Sequence, residues 1–142
     1  MVPTFSGRLQ TRLFCLVVVG LPWTVLVSLP LAPVGGGFGP VLRVGLVTLA
    51  ATLLAGLVLW EPLYHVLMQF RWEKDWPAPF LLAAAAPEAV VVRVLVRSAG
   101  GGGSLGVFLT LFLSTWAVVF LTVQGPLRVL ALRWRFRGAR LW

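Results

Sequence analysis

Apolar residues fall into four long runs, separated by short stretches rich in glycine, proline or charge. The runs extend from about Leu13 to Ala32, Val41 to Trp60, Pro79 to Ser98 and Leu105 to Gln124. Each is about 20 residues, the length a helix rising 1.5 Å per residue needs to cross roughly 30 Å of hydrocarbon. Lipid offers no partner to a bare backbone, so a single run of this length predicts a helix. The pattern predicts an all-α fold: an integral membrane bundle of four transmembrane helices, one membrane domain over 1–142. An interfacial segment at 61–78 and a basic tail at 128–142 complete it.

Composition agrees with this pattern. The chain is 59% hydrophobic and 11% charged, with a mean hydropathy of +0.95. Soluble domains sit near 45–50% apolar and about 25% charged. A soluble domain, a disordered chain and a disulfide-stapled secreted scaffold are thereby excluded. Ile and Asn are absent and eleven of the twelve basic residues are Arg, which points to a high-GC, bacterial genome. Arg8 and Arg12 precede the first run as in a signal peptide, but its apolar stretch is too long and Ala32 is followed by Pro33. The segment reads as an uncleaved anchor.

The net charge of +8 is a topology code rather than a nucleic-acid footprint. With the N-terminus inside, Arg8, Arg12, Arg71, Lys74, Arg128, Arg133, Arg135, Arg137 and Arg140 fall on the cytoplasmic side. Only Arg43 and Arg97 fall outside, and Arg93 lies within the third run. Nine against two predicts both termini in the cytoplasm and a cell (plasma) membrane location. Trp60, Tyr64, Trp72, Trp76 and Trp134 lie at the same predicted boundaries, where amphipathic rings prefer to sit.

Three runs carry small residues at four-residue spacing: Gly20, Thr24 and Ser28; Thr48, Thr52 and Gly56; Gly106, Thr110 and Ser114. Such stripes let helix backbones approach closely. They predict packing within the bundle, with a partner protein or a second copy as the alternative for any one of them.

Glu88 lies near the middle of the third run, where an ionised carboxylate costs on the order of 2.5–3.5 kcal/mol. It is therefore either protonated or paired. Arg93 is the cation at hand, although five residues turn the two about 140° apart on one helix. Arg43 reaches it only if the chain bends. Pro87 precedes it and predicts a kink, since proline leaves a carbonyl one turn earlier without its donor. Glu88 and Arg93 are thus either an ion- or proton-handling pair or a structural acid beside a snorkelling arginine.

Glu61 and His65 share a helix face, but a metal wants three or four ligands and the chain has one His. Pro62 predicts that the membrane helix bends or ends at Trp60-Glu61, with 63–76 lying along the surface. There the string Phe70-Arg71-Trp72-Glu73-Lys74-Asp75-Trp76-Pro77 is nearly charge-balanced and aromatic. Trp72, Glu73, Lys74, Asp75 and Trp76 would anchor at the interface and present a loop to a partner. With Trp60-Glu61-Pro62-Leu63-Tyr64 before it, this string resembles a loop in uncharacterised multi-pass membrane proteins of high-GC Gram-positive bacteria. The resemblance implies a membrane architecture and brings no activity.

In the tail, Arg133, Arg135, Arg137 and Arg140 alternate with Trp134, Phe136, Leu141 and Trp142. Each basic group near an anionic leaflet is worth about 1 kcal/mol, so these predict contact with anionic headgroups. Neither GxxxxGK[ST] nor a GxGxxG opening a helix is present, and His65 has no candidate nucleophile beside it. No cofactor and no nucleic-acid partner are expected. The reading is a non-enzymatic accessory or assembly component of a larger membrane complex, with a membrane-protein partner or a homo-oligomer. The alternative is a small oligomeric transporter or channel using Glu88.

Overall fold

The computed structural model describes residues 3–70 and 77–141. All regular structure among the described residues is helical. Helix α1 spans Phe5–Leu31, α2 Phe38–Gln69, α3 Pro79–Ser98 and α4 Leu105–Gln124. Each is long and apolar enough to cross a membrane, and the fourth apolar stretch reaches Leu130. The outer surface agrees: Leu26, Leu54, Val58, Val90, Val94 and Leu121 are all exposed. A belt of that kind is not left facing water.

Helix α1 starts well before Leu13, because Thr4 caps it. The Thr4 hydroxyl accepts from the Gly7 N–H at 3.1 Å, satisfying an amide that has no helical partner. Arg8 and Arg12 are therefore helical residues rather than a flank. Helix α2 likewise continues through Pro62 to Gln69, so it does not end at Trp60-Glu61, and its pitch changes just before that point. Pro62 sits in the first α-turn after that change, where its missing N–H is tolerated. Pro87 does interrupt α3: the α-helical pieces Ala78–Ala83 and Ala85–Ser98 meet at Ala84, one turn before the proline.

Two stretches are π-helical, Cys15–Gly20 within α1 and Gly56–Trp60 within α2. A π-turn inserts a residue and so rotates everything beyond it by about 100° relative to an unbroken α-helix. Without that rotation Thr52 and Glu61, nine positions apart, would point to opposite faces of α2. Arg12 and Thr24 would diverge by about 120° on α1. The two π-turns bring each pair toward one inner face.

The core divides along the bundle axis. At the end carrying the two glycine loops, Val41, Val44, Val107 and Leu111 pack with Val27 and Leu31. In the middle lies a larger cluster that includes Ala55, Trp60, Tyr64, Val92, Val96, Phe108 and Phe112. At the end where the termini meet, Cys15 packs with Leu127, Trp134 and Ala139.

The basic tail belongs to this last cluster. Short helices α5 (Pro126–Leu130) and α6 (Leu132–Phe136) turn back under α1. The Trp134 indole N–H donates to the Thr11 hydroxyl at 2.7 Å, and that hydroxyl donates to the Ala139 carbonyl at 3.1 Å. The Thr4 amide reaches the Gly138 carbonyl at 2.8 Å. Gly7 makes room for this turn, since a Cβ there would collide with the Gly138 carbonyl.

Candidate functional site

Four helices converge on one buried group of charges. The Arg12 guanidinium on α1 donates from Nε to Glu61 Oε1 on α2 at 2.9 Å, and from NH1 to Glu88 Oε1 on α3 at 2.6 Å. The same NH1 reaches the Thr52 carbonyl at 3.2 Å. Trp116 on α4 points its indole N–H at Glu88 Oε2, 3.4 Å away. Arg8, one turn before Arg12, lies 3.6 Å from Glu61 Oε2. The Glu88 side chain is 2% exposed. Two arginines face two carboxylates, so the cluster is neutral as a whole.

Gly56 makes the cluster possible. A Cβ at that position would fall on the Arg12 side chain, which crosses the surface of α2 there. The π-turn beginning at Gly56 then turns Glu61 inward to meet the guanidinium. The sequence pattern alone left Glu61 at an interfacial bend and Arg12 among the topology charges. The structure buries both.

A cavity of about 230 Å³ opens beside the cluster. Arg12, Glu61 and Glu88 line it together with Thr24, Thr48, Thr52 and Thr115. A buried water needs only about 15 Å³ of such space, so the cavity has room for several. The threonines satisfy their own hydroxyl protons: Thr24 donates to the Gly20 carbonyl, Thr48 to that of Val44 and Thr52 to that of Thr48, at 2.7–2.8 Å. Their oxygens remain as acceptors. Toward the glycine loops the cavity stops at Gly45 and Leu111, where the valine cluster closes the bundle. Toward the termini its lining includes Arg128 and Trp134 of the folded-back tail.

The pairing expected for Glu88 is thus corrected. Its partner is Arg12, and Arg93 points elsewhere. Arg93 NH2 donates to the Gly103 carbonyl at 3.1 Å, and its guanidinium carbon lies 5.0 Å from the Phe108 ring centroid. The helical phase that separates positions 88 and 93 is the cause, and a different helix supplies the cation.

The small-residue stripes divide in the same way. Gly20, Thr24 and Ser28 are buried, as are Thr48, Thr52 and Gly56, and they form the inner walls of α1 and α2. Gly106 and Thr110 are exposed and Ser114 is half-buried. Packing within the chain therefore does not account for this third stripe. Helix α4 presents the neighbouring face, Val107, Phe108, Leu111, Phe112 and Thr115, to the core because its large rings fill more of the interior.

Trp72, Glu73, Lys74, Asp75 and Trp76 lie outside the described residues. In the tail, Arg133, Arg137 and Arg140 gather around Thr4, while Arg135 lies against Phe136. His65 packs its ring 5.4 Å from that of Phe5 and shares no ligand set with Glu61. Among the described residues no group of three His, Cys, Asp or Glu side chains could hold a metal. No protein family, curated protein or solved structure matches the chain.

Proposed function

We propose that the chain is a non-enzymatic multi-pass protein of the cell membrane, with both termini cytoplasmic, serving as an accessory or assembly component of a larger membrane complex. The observation that carries this reading is the bond between Arg12 and Glu88 at 2.6 Å, inside a cluster that Glu61 and Arg8 make neutral. A carboxylate held this way ties α1 to α3 through a charge-assisted hydrogen bond. Its chemistry suits a lock between helices. Counting Arg8 and Arg12 with the interior cluster leaves seven basic residues against two, so the charge bias still favours cytoplasmic termini. The resemblance of the Trp60–Pro77 region to multi-pass proteins of high-GC Gram-positive bacteria supports the same class. Purification in mild detergent tests it: a heteromeric complex supports it, and a lone homo-oligomer that conducts ions or protons in liposomes overturns it.

One observation favours a second reading. The cavity beside Glu88 has mostly apolar walls, interrupted by Thr24, Thr48, Thr52 and Thr115, and the size to hold several waters. This is what a small oligomeric transporter or channel using Glu88 would need. Proteoliposomes carrying the wild type and Glu88→Gln decide the matter. Ion or proton flux that the substitution abolishes establishes the transport reading, and no flux from a folded wild type removes it.

A further inference from the structure

The tail does more than cover α1. Thr4, Arg133, Arg137 and Arg140 line one recess at the end where the termini meet. The turn that closes it is fixed from both sides. Gly138 adopts a positive φ of 61° and Ala139 one of 67°, a strained backbone for a residue with a Cβ. Bonds from Thr4 and Thr11 to the Gly138 and Ala139 carbonyls hold that strain in place. The Thr4 hydroxyl also accepts from Arg140 Nε at 3.4 Å, which positions the guanidinium over the recess.

Three arginines lining one recess present guanidinium donors to a single anion. The chain supplies none among the described residues, since the acidic side chains there, Glu61 and Glu88, are taken by Arg8 and Arg12. A planar guanidinium matches phosphate oxygens in pairs. The same short segment exposes Leu130, Leu132 and Phe136 at 81, 58 and 77%. Apolar side chains beside a basic recess are suited to the boundary between headgroups and acyl chains.

We propose that Arg133, Arg137 and Arg140, arranged by Thr4 and the Gly138-Ala139 turn, form a specific binding site for one phosphate group, with the exposed apolar side chains favouring a phospholipid headgroup as its source. This goes beyond diffuse attraction of a basic tail to an anionic leaflet, because Arg135 is outside the recess and takes no part. It does not rest on the assembly role: a failure to co-purify with a partner would leave the phosphate site intact.

The test uses the full chain extracted from vesicles of phosphatidylcholine and phosphatidylglycerol, with retained lipid counted by native mass spectrometry. One retained phosphatidylglycerol per chain is expected. Arg137→Gln should lower its retention about tenfold, the loss that one charge-assisted contact implies. Arg135→Gln should leave it unchanged, and Arg137→Lys should keep part of it, which separates loss of binding from loss of fold. A second arm titrates inorganic phosphate into delipidated protein and follows thermal stability. Stabilisation that depends on Arg137, with no lipid retained, assigns the site to phosphate from solution. Equal losses from Arg135→Gln and Arg137→Gln, or no Arg137-dependent binding of either probe, overturns the proposal.

Discussion

The two ends of the bundle solve the problem of burial differently, and Arg12 and Arg93 show how. At the glycine-loop end, Val41, Val44, Val107 and Leu111 fill the space between helices without a polar group. Arg93, on the half of α3 toward that end, escapes by reaching a loop carbonyl and a phenyl face. Toward the termini the bundle instead keeps a cavity, five threonines along its lining and a cluster of charges. Arg12 is held there by two carboxylates from two different helices. An apolar interface in lipid gains little from hydrophobicity, because the lipid is equally apolar. A shared guanidinium specifies which helices meet, and at what height.

The sharpest way to break this contrast is Arg12→Met. It strands Glu88 without a cation and leaves Glu61 with Arg8 alone, and leaving a buried charge uncompensated costs about 3–5 kcal/mol. Thermal unfolding in detergent should show the largest loss of any single change in the interior. A triple variant, Arg12→Met with Glu61→Gln and Glu88→Gln, should regain part of that stability, since it removes the stranded carboxylate and leaves only the partly exposed Arg8 without an acid. A triple variant as unstable as the single one would show that packing, and not charge, makes Arg12 matter.

At the other end the corresponding change is Leu111→Ala. Its cost comes from an unfilled cavity, about 2–3 kcal/mol, with no charge involved. Raising salt or exchanging detergent headgroups should not alter it. Between the two in position, and smaller in effect, is Gly56→Ala. Its Cβ takes the space of the Arg12 side chain, so the guanidinium must move. An overpacking cost of about 1–2 kcal/mol is expected. In the Arg12→Met background that cost should shrink, because the longer guanidinium is no longer there to displace.

Much of the fold could be read from the sequence because apolar run length is set by the medium. The third run matched α3 from Pro79 to Ser98, and Pro87 marked its interruption. The site was harder to read for two physical reasons. A basic residue at the edge of an apolar run usually faces headgroups, so the sequence places Arg8 and Arg12 among the topology charges. The cap at Thr4, which makes them helical, is a single hydroxyl. In addition, facing residues follow from a period of 3.6 only in an unbroken α-helix. The π-turns at Cys15–Gly20 and Gly56–Trp60 break that count at the places where it decides who faces whom. One signal was available: two acids, Glu61 and Glu88, stood in or beside apolar runs, and two buried acids call for two cations. The docking of Trp134 and Ala139 onto Thr11 joins positions far apart in sequence and had no local signature.

The smallest predicted effect is the most direct check on the pairing. Arg93→Gln removes one hydrogen bond to a carbonyl and one cation–π contact, and should cost about 1 kcal/mol or less. A double-mutant cycle separates this arginine from Arg12. Coupling between Arg12→Met and Glu88→Gln should exceed about 1 kcal/mol, because the two side chains share a charge-assisted bond. Coupling between Arg93→Gln and Glu88→Gln should stay within about 0.5 kcal/mol, the additivity of sites that share no partner. Unfolding of the wild type, the three single and the two double variants, read by tryptophan fluorescence under one set of detergent conditions, yields both numbers. Strong coupling at Arg93 would mean that the neighbour along the same helix, and not the arginine from α1, neutralises Glu88.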